Sequence, residues 1–260
     1  MKNATAFVTG ASRGLGEATV KSLLKAGISE VVGISRSRND SLAGDAKDRG
    51  ATVEWVTCDL GSAADIARKL GPVFDRYTAD TRDPIVLMNN AGVVEPIGPL
   101  GSVDSHEVSR NLQVNLAAPA LLCNEFLRAF GGTKTRRIIV NITSGLARRA
   151  MTGVASYSSA KAGLDMLTAA IATEQSQRIG EDPSLVSPVE VYAVSPGTVA
   201  TDMQSALRAS TEANLPDKSK FVSLFERGNL YTPEYSSGKI VELILNPKLD
   251  SGSVTHVRDL

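Results

Sequence analysis

The sequence predicts a doubly wound α/β protein, a parallel seven-stranded sheet with helices on both faces. Three observations carry that expectation. Short β-type runs alternate with longer helical patterns along the chain, the order of right-handed βαβ units. Several strand runs are almost unbroken apolar stretches, as at Ile138, Ile139, Val140 and Ile142, which suits strands covered on both faces. The first strand runs directly into a glycine-rich turn followed by a helical pattern.

In chain order, strands are expected at 4–9, 30–35, 52–57, 85–89, 137–143, 189–194 and 253–258. Helices are expected at 14–26, 41–49, 62–77, 105–130, 157–179 and 233–245. No internal repeat, low-complexity tract or Pro/Gly/Ser linker divides the chain, so residues 1–260 are expected to form one dinucleotide-binding domain. The long irregular stretch is 202–231. It holds Pro216, Gly228 and several charges, together with Leu215, Phe221, Leu224 and Phe225, and is expected to be a substrate-binding lid.

Composition narrows the function. The 28 Lys and Arg balance 28 Asp and Glu, so there is no electrostatic case for a nucleic acid or anionic membrane partner. No apolar run approaches the ~20 residues of a membrane span. The N-terminus shows no signal peptide, and Cys58 and Cys123 have neither CxxC nor zinc-ligand spacing. A cytoplasmic protein with reduced thiols and no metal is expected. His106 and His256 have no partners at metal spacing, and Trp55 reads as core.

The first strand ends in Thr9-Gly10-Ala11-Ser12-Arg13-Gly14-Leu15-Gly16. Glycines here allow a sharp turn and close approach of backbone to phosphate, and the following helix offers free N–H groups to a pyrophosphate. The spacing is TGxxxGxG rather than GxGxxG. The second strand ends in Ser35-Arg36-Ser37-Arg38, where an acid would be needed to bind the 2′-hydroxyl of NAD. No acid is present. Arg36, with Arg13 opposite, suits the 2′-phosphate of NADPH, since guanidinium groups bind phosphate through paired donors.

Further motifs follow in order. Asn89-Asn90-Ala91-Gly92 succeeds the fourth strand. Ser144 lies thirteen residues before Tyr157, which lies four before Lys161, and Ser195-Pro196-Gly197-Thr198-Val199-Ala200-Thr201 succeeds the sixth strand. Together these resemble the short-chain dehydrogenase/reductase family over nearly the whole chain. The chemistry is intelligible from the residues. Reducing a ketone leaves an alkoxide that needs a proton, and the Tyr157 hydroxyl can give it. Lys161, one helical turn on, is expected to favour the phenolate by its charge, and Ser144 to donate a hydrogen bond to the same oxygen.

The resemblance implies further roles. Asn115 would hold a water linking Lys161 to solvent. Gly10, Ser12, Arg13, Gly14, Leu15 and Gly16 would form the phosphate turn, with Ser35 and Arg36 at the adenosine end. Asp59 and Leu60 would lie beside the adenine, and Asn90, Ala91 and Gly92 along its ribose. Pro196 and Gly197 would back the nicotinamide, with Val199 and Thr201 holding its carboxamide.

Within the family the chain is most similar to the sepiapterin reductases and microbial diketone reductases, on Thr201-Asp202-Met203-Gln204 and Ser251-Gly252-Ser253. The pterin-anchoring aspartate of that group has His256 at its place here, with Asp259 three residues on, which favours aromatic or vicinal diketones over pterins. The expectation is an NADPH-dependent carbonyl reductase with a small-molecule carbonyl substrate. The resemblance implies a homodimer or homotetramer packed through the 105–130 and 157–179 helices. The alternatives are an NADP(H)-sensing binding protein on the same scaffold and an NAD-dependent alcohol dehydrogenase.

Overall fold

The computed structural model describes residues 3–77, 82–132, 134–181 and 189–260. Seven strands join in one parallel sheet: β1 (Thr5–Thr9), β2 (Glu30–Ser35), β3 (Thr52–Thr57), β4 (Ile85–Asn89), β5 (Arg137–Ile142), β6 (Glu190–Ser195) and β7 (Val254–His256). Their order is β3-β2-β1-β4-β5-β6-β7. The chain therefore winds outward one way to β3, returns past β1, and winds out the other way from β4. The Rossmann-type fold expected from the sequence is present, and the point of reversal lies between β1 and β4, where the ends of an open parallel sheet leave a crevice.

Helices cover both faces: α1 (Gly14–Lys25), α2 (Ser41–Lys47), α3 (Ala63–Asp75), α4 (Ser105–Leu112), α5 (Ala118–Phe130), α6 (Ala155–Glu181), α7 (Asp202–Ala209), α8 (Lys218–Glu226) and α9 (Pro233–Leu245). Side chains alternate along each strand, so β1 sends Ala6 and Val8 to one face and Phe7 to the other. On the first face α1 and α9 bury Val20, Leu23, Leu24, Ile240 and Ile244. The second face is aromatic. Phe7 meets Phe74 edge-on at 4.8 Å, and Phe126 and Phe130 close the cluster at 4.9 Å from one another. Each such ring contributes ~1.5–3 kcal/mol by leaving water.

Helix starts follow side-chain chemistry. Ser62 accepts from the Asp65 N–H ahead of α3, Asp104 from the His106 and Glu107 N–H groups ahead of α4, and Thr232 from the Tyr235 N–H ahead of α9. In contrast, the N-cap of α1, Arg13, supplies no side-chain acceptor.

Three expectations need correction. The helix expected over 105–130 is broken by a π-helical turn at Gln113–Ala117. Pro119, just after it, has no N–H for the Asn115 carbonyl four residues back, so one bond of the α-helical ladder is lost there. The 202–231 stretch is not irregular. It forms α7 and α8, with Leu215 and Phe221 buried, while Phe225 is exposed and lies under the Arg208 guanidinium at 3.8 Å from its ring centroid. The last strand stops at His256, where a 3-10 turn, Val257–Asp259, takes over. Other boundaries differ by a few residues. Trp55 packs its ring under Gly33, where an added Cβ would lie 2.7 Å from it.

The glycine turn ties strand to helix by contact. A Cβ at Gly16 would stand 2.0 Å from the Gly10 carbonyl oxygen and 2.6 Å from the Asn90 side chain. Gly16→Ala should therefore force the turn apart and cost about 1–3 kcal/mol, the range for overpacking. Urea unfolding checks this, and a midpoint equal to that of the unmodified protein would contradict it.

Candidate active site

The C-terminal ends of the strands open onto one cleft of about 1120 Å³. It is lined by Gly10, Ser12, Arg13, Gly14, Leu15 and Gly16 from the first turn, and by Ser35 and Arg36 beyond β2. Asp59 and Leu60 beyond β3, and Asn90, Ala91 and Gly92 beyond β4, continue the wall. Ser144, Tyr157, Lys161, Pro196, Gly197, Val199 and Thr201 complete it. Every cofactor residue expected from the sequence thus reaches the same cavity.

Local chemistry explains the placement. The Thr9 hydroxyl accepts from the Asn90 and Ala91 N–H groups at 2.9 and 3.0 Å, and the Asn90 side chain donates back to the Thr9 carbonyl at 2.9 Å. This sews the end of β1 to the end of β4. Gly10 and Gly14 hold φ of 65° and 56°, a region side-chain-bearing residues rarely adopt. Because α1 lacks a side-chain cap, its first N–H groups face the turn unsatisfied by a capping residue, as an anion site requires.

Asn115 does not line the cleft but lies just behind it. The π-helical turn brings its side chain to Val93 and Asn111, with the amide nitrogen 2.7 Å from the Val93 carbonyl and 3.0 Å from that of Asn111. Its oxygen accepts from the Val93 N–H at 3.2 Å. A Cβ on Gly92 would touch Asn115 at 2.9 Å and approach Lys161 Nζ at 3.7 Å, so the three positions converge.

Tyr157 and Lys161 share one face of α6, with Lys161 Nζ 5.8 Å from the Tyr157 ring centroid and both side chains buried. Burial raises the Tyr157 pKa above that of an ordinary phenol, and the facing Ser144 hydroxyl only partly opposes it. The Lys161 charge, expected from the sequence to favour the phenolate, does not offset that burial. Desolvation outweighs it, and the ammonium instead donates to the Ile142 carbonyl at 2.8 Å. A phenol so placed stays protonated at neutral pH, the state a proton donor needs.

Burial also lowers Lys161 to about 8, with Asp165, one turn along α6, acting against it. Asp165 is itself raised by burial, against the Thr143 hydroxyl, Arg148 (3.8 Å) and Lys161.

Arg36 is exposed and has no hydrogen bond or ion pair among the described residues. Arg13 also lines the cleft but is paired. Its guanidinium lies 2.6 Å from Asp202, an exposed pair that bridges the glycine turn to α7. Beside it, a Cβ at Gly14 would lie 3.5 Å from Thr201.

The far wall joins Leu215 and Phe221, singled out in the 202–231 stretch, to residues the sequence did not single out as a group. Val94, Val154, Tyr157, Leu207, Leu215 and Phe221 form one apolar cluster, with Leu146, Met151 and Met203 against it. α7 and α8 are thereby docked over the tyrosine. His256 also lines the cleft and its ring lies 6.2 Å from that of Tyr231, whereas Asp259 does not line it. His106 is exposed on α4. Among the described residues no cluster of His, Cys, Asp or Glu suits a metal, and no helix is long and apolar enough to cross a membrane.

A family model described as short chain dehydrogenase matches residues 4–212. The chain belongs to the short-chain dehydrogenase/reductase family of NAD(P)(H)-using oxidoreductases. It is 32% identical to the benzil reductase ((S)-benzoin forming) of Bacillus subtilis, over 97% of this chain and 98% of that one. It is 27% identical to the sepiapterin reductase of Bos taurus, over 95% and 91%. Among solved structures, the KRED1-Pglu enzyme superposes with a TM-score of 0.78 at 29% identity, covering 96% of this chain and 99% of that one.

Lys161 has a sign-definite consequence for stability. Its folded pKa, about 8, lies below the ordinary lysine value of 10.5, so between those values the unfolded chain binds the extra proton and stability rises with pH. Lys161→Met removes this contribution. The unfolding free energy of the unmodified protein relative to the variant should rise by about 1–3 kcal/mol between pH 7 and 10. Denaturant titrations at the two pH values read it, and a constant difference would refute it.

Proposed function

We propose that this protein is an NADPH-dependent carbonyl reductase acting on ketones and diketones, with Tyr157 as proton donor. The observation that carries the reading is the buried Tyr157 phenol, raised in pKa and faced by Ser144, in the same cleft as the uncapped start of α1. The likeness to a benzil reductase supports a diketone substrate.

The residues fit the cofactor. Gly16 has no room for a side chain, the start of α1 carries no side-chain cap, and Arg36 has no partner among the described residues at a strand end that carries no acid. Arg36 would take the 2′-phosphate. Arg13 joins it by leaving Asp202, since an exposed ion pair contributes little. Asp59 and Leu60 would flank the adenine, and Val199 and Thr201 the nicotinamide carboxamide.

When bound, NADPH supplies the hydride to the carbonyl carbon. Ser144 donates a hydrogen bond to the carbonyl oxygen and orients it. Tyr157 gives that oxygen its proton as negative charge develops there. Lys161, held by the Ile142 carbonyl and backed by Asn115, stabilises the phenolate left behind. The apolar cluster under α7 and α8 excludes water from the reacting carbon. A redox-sensing protein would have no need to bury a lysine and a tyrosine together at this cost.

Residues 1–260 are read as one domain, with 202–231 as its substrate-side wall. Two free buried thiols suit the reducing cytoplasm. Exposed Leu121 and Met166 on α5 and α6 suit packing of a second copy in a homodimer or homotetramer.

Two outcomes test the reading. NADPH should bind roughly tenfold or more tightly than NADH, and Arg36→Asp should erase or reverse the preference, by fluorescence titration. Equal affinities in the unmodified protein would sink the assignment. Tyr157→Phe should leave NADPH binding intact and lower ketone turnover by about 10²–10⁴-fold. Retention of more than about a tenth of the rate would mean another group gives the proton.

A further inference from the structure

We propose that Asp165 is the counter-ion of the buried Lys161, a positioning residue that keeps the ammonium charged at the pH where the reaction runs. Its part in turnover rests on the carbonyl-reductase reading, whereas the charge pairing itself does not. Lys161 is 3% exposed, and its Nζ donates one hydrogen bond among the described residues, to the Ile142 carbonyl at 2.8 Å. A single carbonyl compensates a buried unit charge poorly, and buried charges in native proteins are paired. The acids that line the cleft are engaged elsewhere. Asp59 accepts from the Gly61 N–H beyond β3, and Asp202 is paired with Arg13.

Asp165 stands one turn beyond Lys161 on the same face of α6. Side chains on a helix lean toward its N-terminus, so the carboxyl lies back over the Lys161 turn. Both groups meet the end of β5. Lys161 reaches Ile142, and the Asp165 carboxyl lies by the hydroxyl of Thr143, which is 3.5 Å from the Lys161 carbonyl oxygen. The Asp165 side chain is 13% exposed and does not line the cleft, so substrate does not meet it. One of its oxygens is buried without a hydrogen bond among the described residues. The other is 3.8 Å from Arg148 Nε, too far for a good hydrogen bond. This carboxylate is therefore held by neighbouring charge more than by donors.

The other groups around Lys161 cannot take that part. Tyr157, on α6, is held as a neutral phenol by burial. Asn115, on the π-helical turn, carries no charge. Arg148, between β5 and α6, is a cation, as are Arg110 and Arg149 in the cleft wall. His256, at the end of β7, is held below the usual histidine value by burial and then by Arg258. Asp165 is the charge that opposes the fall of Lys161, and Lys161 in turn helps to keep Asp165 ionised. The phenolate left after Tyr157 gives its proton is stabilised by Lys161 only while Lys161 is an ammonium. Turnover should therefore fall as pH rises through the folded lysine value, about 8, and without Asp165 that fall should begin at lower pH.

The first measurement is kcat/KM for benzil with NADPH across neutral to alkaline pH, for the unmodified protein, Asp165→Asn and Asp165→Glu. Asparagine keeps the shape without the charge, and glutamate keeps the charge. The alkaline limb should move to lower pH by roughly half a unit to one unit in Asp165→Asn and hold its place in Asp165→Glu. A limb that stays put in Asp165→Asn, or a loss equal at every pH, would make the residue a structural support only and overturn the pairing. The second measurement needs no turnover. Urea midpoints near neutral pH are compared for Asp165→Asn, Lys161→Met and the double variant. Asp165→Asn should lower the midpoint of the unmodified protein, and should leave unchanged or raise that of Lys161→Met, because removing one partner of a buried pair strands the other. Equal drops in both backgrounds, or failure of Asp165→Asn to fold in either, would overturn the inference. Coupled midpoints in a protein that binds NADPH but reduces no ketone would support the pairing and overturn the reductase reading.

Discussion

The seam between β1 and β4 is the constraint on which the rest depends. These two strands are neighbours in space but are separated in sequence by two βα excursions. Their C-terminal ends are stitched by Thr9 and Asn90 through hydrogen bonds in both directions. Chains leaving the two strands must diverge, α1 to one face and the segment leading to α4 to the other. The gap between them becomes the cleft. The glycine turn, the start of α1 and the run at Asn90–Gly92 share its walls for that reason. A second buried polar chain, Asn89 to Asn141 to Thr168, extends the stitching to β5 and α6, the elements that carry Ser144 and Tyr157.

Around that seam the molecule accepts unfavourable burial in one small region. Lys161 loses hydration and drops toward neutrality in pKa, Tyr157 is held as a phenol, and the Gln204 amide nitrogen has no acceptor among the described residues. None of these helps folding. They persist because the two apolar faces of the sheet, with the aromatic cluster of Phe7, Phe74, Phe126 and Phe130, supply the stability. The cost collects where the sheet presents its strand ends, and a site that binds and protonates a substrate needs such groups away from bulk water.

The π-helical turn shows how a local rule and a tertiary demand coincide. Pro119 removes the helical hydrogen bond to the Asn115 carbonyl, and the widened turn aims the Asn115 side chain at Val93 behind Lys161. The proline was visible in the sequence, yet apolar periodicity runs through it and conceals the break. The 202–231 stretch failed differently. Pro216 and Gly228 mark turns, but Met203, Ala206 and Leu207, and then Phe221, Leu224 and Phe225, recur at helical spacing on two short segments that stand only because they pack on one another and on Tyr157.

The sequence by itself determined the alternation of strands and helices, the parallel sheet, the glycine turn and the motif residues that line the cleft. Those are properties of period, spacing and local backbone chemistry, which a chain carries wherever it goes. Only the tertiary structure decided that Arg13 sits against Asp202, that burial rather than Lys161 governs Tyr157, that His256 and not Asp259 reaches the cleft, and that Gln204 is buried with its nitrogen unpaired. Each of these depends on groups far apart in sequence and on how much water is left between them. Neither separation in space nor desolvation is written in the order of residues until the sheet has closed over them.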